Sequence, residues 1–139
     1  GQYSPLTPTG AKATTAVYGN IDRPFDLCKL TGAAGATYVA RATAYHVPQL
    51  ITYIRNGIKN KGFSMIEAVV PCPTYFGRRN KLGDAPKMIN YIKDNSVMYK
   101  PGVEEYDKPY VVGEFVKNVE AAEYTAQYTA LIERVGGNK

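Results

Sequence analysis

Two apolar segments with strand character flank a segment with helical periodicity, and this order restricts the folds open to the chain. Residues 37–43 (TYVARAT) and 63–70 (FSMIEAVV) are short runs rich in apolar and β-branched side chains. Between them, apolar side chains recur at the spacing of one helical face, at Val47, Leu50, Ile51, Ile54 and Ile58. Apolar strands joined by a helix are typical of a mostly parallel sheet covered by helices. We therefore predict an α/β fold with helices on both faces, in which residues 36–43 and 63–70 pair in parallel.

The rest of the chain predicts shorter elements and a change of character near residue 71. The other predicted elements are a helix from Pro24 to about Gly32, a helix over 85–95 capped by Asp84, a strand over 110–116 that suits a sheet edge, and a helix over about 120–135 with one apolar face. Residues 74–84 (TYFGRRNKLGD) form a polar, basic segment that we predict to be a loop. We therefore divide the chain into an α/β part, residues 1–71, and a small α+β tail, residues 72–139.

Charge and composition exclude several classes of protein. The 139 residues have a formal net charge of +5, but no basic run reaches five residues, which disfavours a nucleic-acid partner. No apolar stretch approaches the roughly 18 residues that a membrane span needs. Two cysteines are too few for a disulfide framework. These features predict a cytoplasmic protein that binds neither nucleic acid nor a membrane.

The two cysteines lie in different surroundings. Cys28 lies among apolar residues at helical spacing, which predicts a small buried side chain. Cys72 lies between Pro71 and Pro73, directly after a predicted strand, where open parallel sheets place their functional sites. A thiolate there suits iron or zinc, but a single cysteine does not make a site, so a plain turn remains the alternative.

Two further features carry less specific signals. His46 is the only histidine and precedes a helix, so a hydrogen-bonding role at the helix start is favoured over a catalytic one. Arg78 and Arg79, with Lys81 nearby, form a local basic patch. Adjacent arginines can hold a carboxylate or a phosphate, and a solvated loop is the equal alternative.

Four motifs together carry a resemblance to a known family. They are GQYSPLTP at residue 1, AAGATYVAR at residue 33, KGFSMIE at residue 61 and PCPTYFGRRN at residue 71. With these motifs the chain resembles, along almost its whole length, the β subunit of 2-oxoacid:ferredoxin oxidoreductases, in particular the 2-oxoglutarate synthase branch.

The resemblance implies a function and a set of cofactors. The family decarboxylates a 2-oxoacid on thiamine diphosphate with Mg²⁺, passes electrons through a 4Fe–4S cluster to ferredoxin, and delivers the acyl group to coenzyme A. It implies that residues 1–71 belong to the thiamine-diphosphate-binding domain, and that an α subunit is the partner. Cys72 matches the last of four cluster ligands, and Gln2 and Ser4 match residues beside the cofactor pocket. Arg78 and Arg79 would then contact the distal carboxylate of the substrate, an acidic ferredoxin or a neighbouring subunit.

The family's other cofactor ligands precede the turn at which this sequence starts. We therefore expect the chain to represent the C-terminal half of a β subunit, to bind no cofactor by itself, and to be inactive alone. Apolar faces that lack their cover should make it an oligomer or bind it to partner chains. Two alternatives are an inactive folded fragment and an unrelated α/β module that binds an anion.

Overall fold

The computed structural model describes residues 1–136 of the chain. Its elements, in chain order, are α1 (Leu27–Ala33), β1 (Tyr38–Thr43), α2 (Val47–Lys59), β2 (Ser64–Val69), a π-type helical turn (Pro73–Gly77), α3 (Ala85–Asp94), β3 (Ser96–Met98), β4 (Tyr110–Lys117) and α4 (Tyr124–Gly136). Among these described residues, no helix combines the length and the apolar character needed to cross a membrane.

The parallel pair that the sequence predicts forms the first half of the sheet. β1 and β2 run parallel, with Tyr38 opposite Ser64 at one end and Thr43 opposite Val69 at the other. α2 connects the two strands and packs on both of them. The predicted strand–helix–strand unit is therefore confirmed, and the carboxyl ends of both strands lie at the same edge of the sheet.

Side chains of β1 alternate between two small cores, one on each face of the sheet. Tyr38, Ala40 and Ala42 pack against Tyr53 of α2 and its neighbours. Val39 points to the opposite face and packs with Cys28 of α1. Every residue of β1 is buried, so helices cover both faces, as predicted.

Helix starts follow the capping chemistry of the sequence. The Asp26 carboxylate accepts hydrogen bonds from the Cys28 and Lys29 N–H groups and fixes the start of α1. The predicted cap Asp84 accepts from the Lys87 N–H at 3.1 Å and begins α3. Each carboxylate satisfies backbone donors that have no partner within the helix.

The second half of the sheet corrects the prediction that residues 110–116 form an edge strand. The strand order is β2-β1-β4-β3, so β4 is an inner strand and not an edge. β4 runs antiparallel to β1 and parallel to β3, which makes the sheet mixed. Apolar periodicity identifies a strand but carries no information about its direction, which depends on how the long connection before β4 returns to the sheet. β3 itself is too short to give a sequence signal.

The pairing of β4 crosses the domain boundary that the sequence predicts at residue 71. β4 lies in the predicted tail, yet it pairs with β1 of the α/β part. The sheet therefore contains strands from both sides of the proposed boundary. The division into residues 1–71 and 72–139 stays a prediction.

The last helix, α4, starts later in the chain than the sequence predicts. α4 begins at Tyr124 and not near residue 120, because the Glu123 carboxylate accepts a hydrogen bond from the Ala126 N–H and starts the helix there. The apolar residues predicted to share one face are all exposed, namely Tyr124, Tyr128, Leu131, Ile132 and Val135. Such a face suits the predicted association with another chain, which stays a prediction.

Gly113, in the middle of β4, gives a test of this sheet. Its φ of +149° is a conformation that other residues avoid, and an added Cβ would lie 2.9 Å from the Tyr99 Cβ. We expect Gly113→Ala to lower the free energy of unfolding by about 1–3 kcal/mol, from strain and contact together. Urea unfolding of the 139-residue chain measures this.

Gly102 supplies the matched control for that substitution. Its φ is also positive, at +81°, but an added Cβ would have no neighbour within 4 Å. Gly102→Ala should therefore show the cost of backbone strain alone, about 1 kcal/mol. Equal losses in the two variants would contradict the close contact with Tyr99.

Candidate functional site

Cys72 lies just beyond the carboxyl end of β2, where the chain leaves the sheet. Its thiol is exposed, as predicted for a turn after the strand. The residues that follow, Pro73–Gly77, form the π-type turn, closed by a hydrogen bond from the Gly77 N–H to the Cys72 carbonyl at 2.9 Å. The predicted loop over residues 74–84 was wrong for its first residues, because a five-residue helical turn has no clear periodic signal in a sequence.

Backbone amides of this turn favour the ionised form of the Cys72 thiol. Hydrogen bonding from the Phe76 and Tyr75 amides, with a smaller effect from Thr74, lowers the pKa of the Cys72 thiol below its usual value. The thiolate is the form that binds metals and attacks electrophiles. Cys72 suits a metal–sulfur site for two reasons: its thiol is exposed, and its pKa is lowered.

Gly77 lets the following helix pack closely against the turn. Gly77 is buried, and an added Cβ would lie 2.5 Å from the Met88 sulfur of α3 and 3.3 Å from the Gly83 carbonyl oxygen. The Leu82 N–H donates to the Gly77 carbonyl at 2.9 Å. The segment after Cys72 is thus fixed by contacts with α3 even though it lies at the surface.

The two arginines predicted to contact a substrate or partner lie directly after this turn. Arg78 and Arg79 are both exposed, and neither forms an ion pair within residues 1–136. Arg78 and Lys81 line an open cavity of about 550 Å³ next to Pro73 and Asp84. The structure therefore places two exposed arginines, without ion pairs among the described residues, in the segment that follows the exposed cysteine.

Gln2 and Ser4 lie on an exposed N-terminal loop. The Ser4 hydroxyl accepts a hydrogen bond from the Leu6 N–H at 3.2 Å, so it stabilises a local turn. Buried Asn20 organises this loop, because its side-chain amide donates to the Thr7 and Asp22 carbonyls and its oxygen accepts from the Asp22 N–H. The sequence did not predict this role of Asn20, because no motif around the residue indicates it.

A second asparagine, Asn80, joins this loop to the segment after Cys72. Its side chain accepts a hydrogen bond from the Lys12 N–H at 2.8 Å and donates one to the Lys12 carbonyl at 3.0 Å. We call this pair of bonds the Asn80 bridge. It connects the segments that carry the predicted cofactor-pocket residues and the predicted cluster ligand.

An ion-pair cluster on the α1 face of the sheet was also missed from the sequence. Buried Arg41 of β1 bonds the Asp26 carboxylate at 2.6 Å and the Glu67 carboxylate at 2.7 Å. Its guanidinium also lies 5.2 Å from the centre of the Phe115 ring. This Arg41 cluster (Arg41, Asp26 and Glu67) links α1, β1 and β2. The sequence did contain one signal for this cluster, because Arg41 and Glu67 are charged residues in the middle of two otherwise apolar strands.

Cys28 is the small buried residue that its sequence context predicted. It is 1% exposed, and its thiol points to the Glu67 carboxylate with an S···O distance of 3.6 Å. Burial raises the pKa of this thiol to about 12, more than the nearby Arg41 charge lowers it. Cys28 is therefore protonated and unreactive at neutral pH.

His46 takes the structural role favoured by the sequence. It precedes α2, and its Nδ1 lies 2.8 Å from the Thr43 hydroxyl oxygen. Burial lowers the pKa of its ring, so the imidazole is neutral at pH 7. No group of three or more histidine, cysteine or acidic side chains within residues 1–136 is arranged to hold a metal ion.

Comparisons with known proteins give a consistent result. No family model matches the sequence. The chain is 47% identical over 97% of its length to a 2-oxoglutarate synthase subunit KorB from Methanocaldococcus jannaschii, of which it covers 51%. It is 48% identical to the KorB subunit from Methanothermobacter marburgensis, over 83% of this chain and 42% of that protein. The chain thus spans about half the length of these curated relatives.

More distant relatives extend the similarity. A 2-oxoacid:ferredoxin oxidoreductase subunit beta from Saccharolobus solfataricus is 40% identical over 54% of the chain, which covers 25% of that protein. Among solved structures, a 2-oxoglutarate:ferredoxin oxidoreductase from Magnetococcus marinus superposes with a TM-score of 0.74 at 21% identity, over 98% of this chain and 48% of the other. The structural match confirms the α/β fold.

Proposed function

Because the chain is homologous over almost its whole length to β subunits of 2-oxoacid:ferredoxin oxidoreductases, we propose that it forms part of such an enzyme. The complete enzyme would convert a 2-oxoacid, in the first place 2-oxoglutarate, and coenzyme A into an acyl-CoA and CO₂. Ferredoxin would accept the two electrons released. The observation that carries this proposal is the 45–48% identity to four 2-oxoglutarate synthase subunits.

The cofactors belong to the same proposal. Thiamine diphosphate with Mg²⁺ would supply the carbanion chemistry of decarboxylation, and a 4Fe–4S cluster would supply one-electron transfer. Cys72 would hold one iron of the cluster, and its exposed thiol, whose pKa the backbone amides of the following turn lower, supports that role. Gln2 and Ser4 would contact the thiamine cofactor from the N-terminal loop, while the metal ligands would come from outside this chain.

The partners follow from the enzyme class. An α subunit would complete the assembly, and ferredoxin would dock where the cluster is accessible, in the reducing cytoplasm. The 139-residue chain alone is expected to be inactive, because it supplies one thiolate of the four that a cluster needs.

The function is tested with the complete β subunit co-purified with its α subunit. We expect reduction of ferredoxin that depends on both coenzyme A and 2-oxoglutarate, and slower reduction with pyruvate. The same preparation without coenzyme A is the control. Anion binding without any 2-oxoacid-dependent electron transfer would favour the alternative, an anion-binding α/β module.

We further propose that Arg78 and Arg79 contact ferredoxin, rather than the substrate or a subunit. Both are exposed and free of ion pairs within the described chain, and they follow the turn that carries Cys72. An electron acceptor has to approach the cluster, and an acidic one gains in association rate from a basic surface at that point.

Neutralising these arginines should weaken the use of ferredoxin selectively. We expect the double variant Arg78→Gln, Arg79→Gln to raise the KM for ferredoxin about tenfold at low salt and to flatten its salt dependence. Reduction of a small artificial acceptor, methyl viologen, should stay unchanged, because it needs no protein docking surface.

Arg55 and Arg134, exposed on α2 and α4, provide a charge-matched control. The double variant Arg55→Gln, Arg134→Gln should leave the KM for ferredoxin unchanged. A raised KM for 2-oxoglutarate in the Arg78, Arg79 variant would assign these residues to the substrate, and loss of the α subunit on purification would assign them to assembly.

A further inference from the structure

β2 has one edge that no strand covers among residues 1–136. It lies at one end of the sheet and pairs with β1 alone. Proteins usually protect such an edge with proline, lysine, a bulge or a very short strand. The strand at the other end, β3, has 3 residues, whereas β2 has 6 (SMIEAV), with no proline, glycine or lysine. Its one charged side chain, Glu67, is paired with Arg41, so the free edge of β2 is open to pairing with another strand.

The hydrogen bonds to β1 determine which residues of β2 face its free edge. The Tyr38 N–H donates to the Phe63 carbonyl at 3.2 Å, and the Ala44 N–H donates to the Val69 carbonyl at 2.8 Å. Because backbone groups alternate in direction along a strand, the odd-numbered residues of β2 bond to β1. The even-numbered residues direct their N–H and carbonyl groups to the free edge, namely Ser64, Ile66 and Ala68. No hydrogen bond within residues 1–136 reaches these groups, so the edge lacks a partner strand.

α2 adds an apolar flank beside this edge. Tyr53 is buried against the sheet, and the Asn56 side chain donates to the Glu114 carboxylate of β4 at 3.3 Å. β4 lies on the far side of β1 from β2. Residues two positions from Asn56 are rotated from it by about 200° around the helix, so they lie on the flank next to the free edge of β2. These residues are Ile54 and Ile58, and Ile51 lies beside them.

We call Ile51, Ile54 and Ile58 the isoleucine stripe. Their exposed fractions are 52%, 44% and 80%. Together with Arg55 and Lys59 they line a shallow cavity of about 360 Å³. Single exposed isoleucines are common on protein surfaces, but a contiguous apolar strip beside an open strand edge marks a site of association.

We propose that the free edge of β2 and the isoleucine stripe bind a second copy of this chain, related by a two-fold axis at Ile66. Antiparallel pairing centred there places Ser64 opposite Ala68 of the second copy, so all the outward backbone groups find partners. It also places Glu67 opposite Met65. Pairing centred on Glu67 would instead bring two carboxylates together, and pairing centred on Met65 would leave Ala68 beyond the paired residues. The strand is therefore complementary to itself in one register.

The same axis brings the two α2 helices into contact. A two-fold axis between antiparallel strands is perpendicular to the sheet, so both copies of α2 lie on the same face. Paired strands are about 4.8 Å apart, and α2 packs on both β1 and β2. Each helix would then lie roughly 5 Å from the axis, which separates the two helices by about 10 Å, the spacing of packed helices. One interface thus pairs the free edges and covers both isoleucine stripes.

The experiment uses the 139-residue chain, with sedimentation equilibrium and residue-resolved amide hydrogen exchange over a range of concentrations. We expect a monomer–dimer equilibrium. The amides of Ser64, Ile66 and Ala68 should exchange at least about tenfold more slowly in the dimer than in the monomer. The amides of Met65 and Glu67 should be protected in both, because they bond to β1. This alternation identifies strand pairing, since contact through α2 alone would not produce it.

Two pairs of variants test the two parts of the surface. Ile58→Glu should raise the Kd of the dimer at least about a hundredfold, because the symmetry places the charge in the interface twice. Ile132→Glu is its control, since Ile132 is an isoleucine of α4 that is 54% exposed. Ala68→Pro removes an outward N–H without removing a bond to β1, and should also weaken the dimer. Ala68→Val keeps that N–H and should leave the Kd unchanged.

Three results would overturn this inference. The first is a chain that stays monomeric at about 1 mM. The second is a dimer that Ile132→Glu dissociates and Ile58→Glu does not, which would assign association to α4. The third is protection of the Ser64, Ile66 and Ala68 amides in a monomeric complete β subunit, which would assign the edge to another strand of that subunit. None of these readouts depends on a cofactor or on activity, so the proposed function is tested separately.

Discussion

Replacing Cys72 by alanine in the complete β subunit should abolish the reduction of ferredoxin. The substitution removes one thiolate of the four that a 4Fe–4S cluster needs, so iron per subunit should fall strongly and the paramagnetic signal of the reduced cluster should disappear. The fold should be retained, because the side chain is exposed and packs in no core. Binding of thiamine diphosphate should survive, since its ligands lie elsewhere in the proposed enzyme.

Cys28 is the matched control for this experiment, since it is the only other cysteine of the chain. Cys28→Ala should keep full iron and normal electron transfer, and should lower the free energy of unfolding by only about 1 kcal/mol through a small packing defect. Normal iron and normal ferredoxin reduction in Cys72→Ala would show that Cys72 is not a ligand and is only part of a turn.

Arg41 carries the largest expected effect on stability. Removing its guanidinium would leave two carboxylates without their partner, Glu67 with a side chain 18% exposed and Asp26 with a side chain 34% exposed. We expect Arg41→Met to lower the free energy of unfolding by about 3–5 kcal/mol, the usual cost of breaking a buried ion pair from one side. Urea unfolding of the 139-residue chain, followed by circular dichroism, measures this loss.

Two further variants test whether that loss of stability comes from the unpaired carboxylates or from the removal of any arginine. Arg55→Met removes an exposed arginine and should cost less than about 0.5 kcal/mol. Adding Glu67→Gln to Arg41→Met should recover part of the stability, because an uncharged amide tolerates burial without a cation better than a carboxylate does. A loss below about 1 kcal/mol for Arg41→Met would mean that the Arg41 cluster contributes little to folding.

The sequence was most informative where one local pattern decides the outcome. The parallel pair β1 and β2 follows from two apolar runs separated by one helical face, and the start of α3 follows from the capping carboxylate of Asp84. The burial of Cys28 follows from its apolar neighbours at helical spacing. In each case the relevant interaction involves residues close together in the chain.

Features that depend on distant segments were not predicted. The inner position and antiparallel direction of β4 depend on where the preceding connection returns to the sheet. The Asn80 bridge joins residues that no local pattern relates, and the Arg41 cluster needs the register of β1 against β2, which places Arg41 opposite Glu67. For the candidate site, the residues indicated an exposed cysteine and a basic patch, whereas the cofactors and partners came from family resemblance.

The contrast between the two thiols has a practical consequence for experiments on the free chain. Cys28 is buried and protonated, whereas Cys72 is exposed and biased toward the thiolate. A maleimide or a nitroxide methanethiosulfonate reagent should therefore modify Cys72 alone without any mutagenesis, because thiolates react and buried thiols do not. A probe attached there would sit beside the basic surface of Arg78 and Arg79. It would report the approach of an acidic protein directly, as a change in fluorescence or in spin-label mobility.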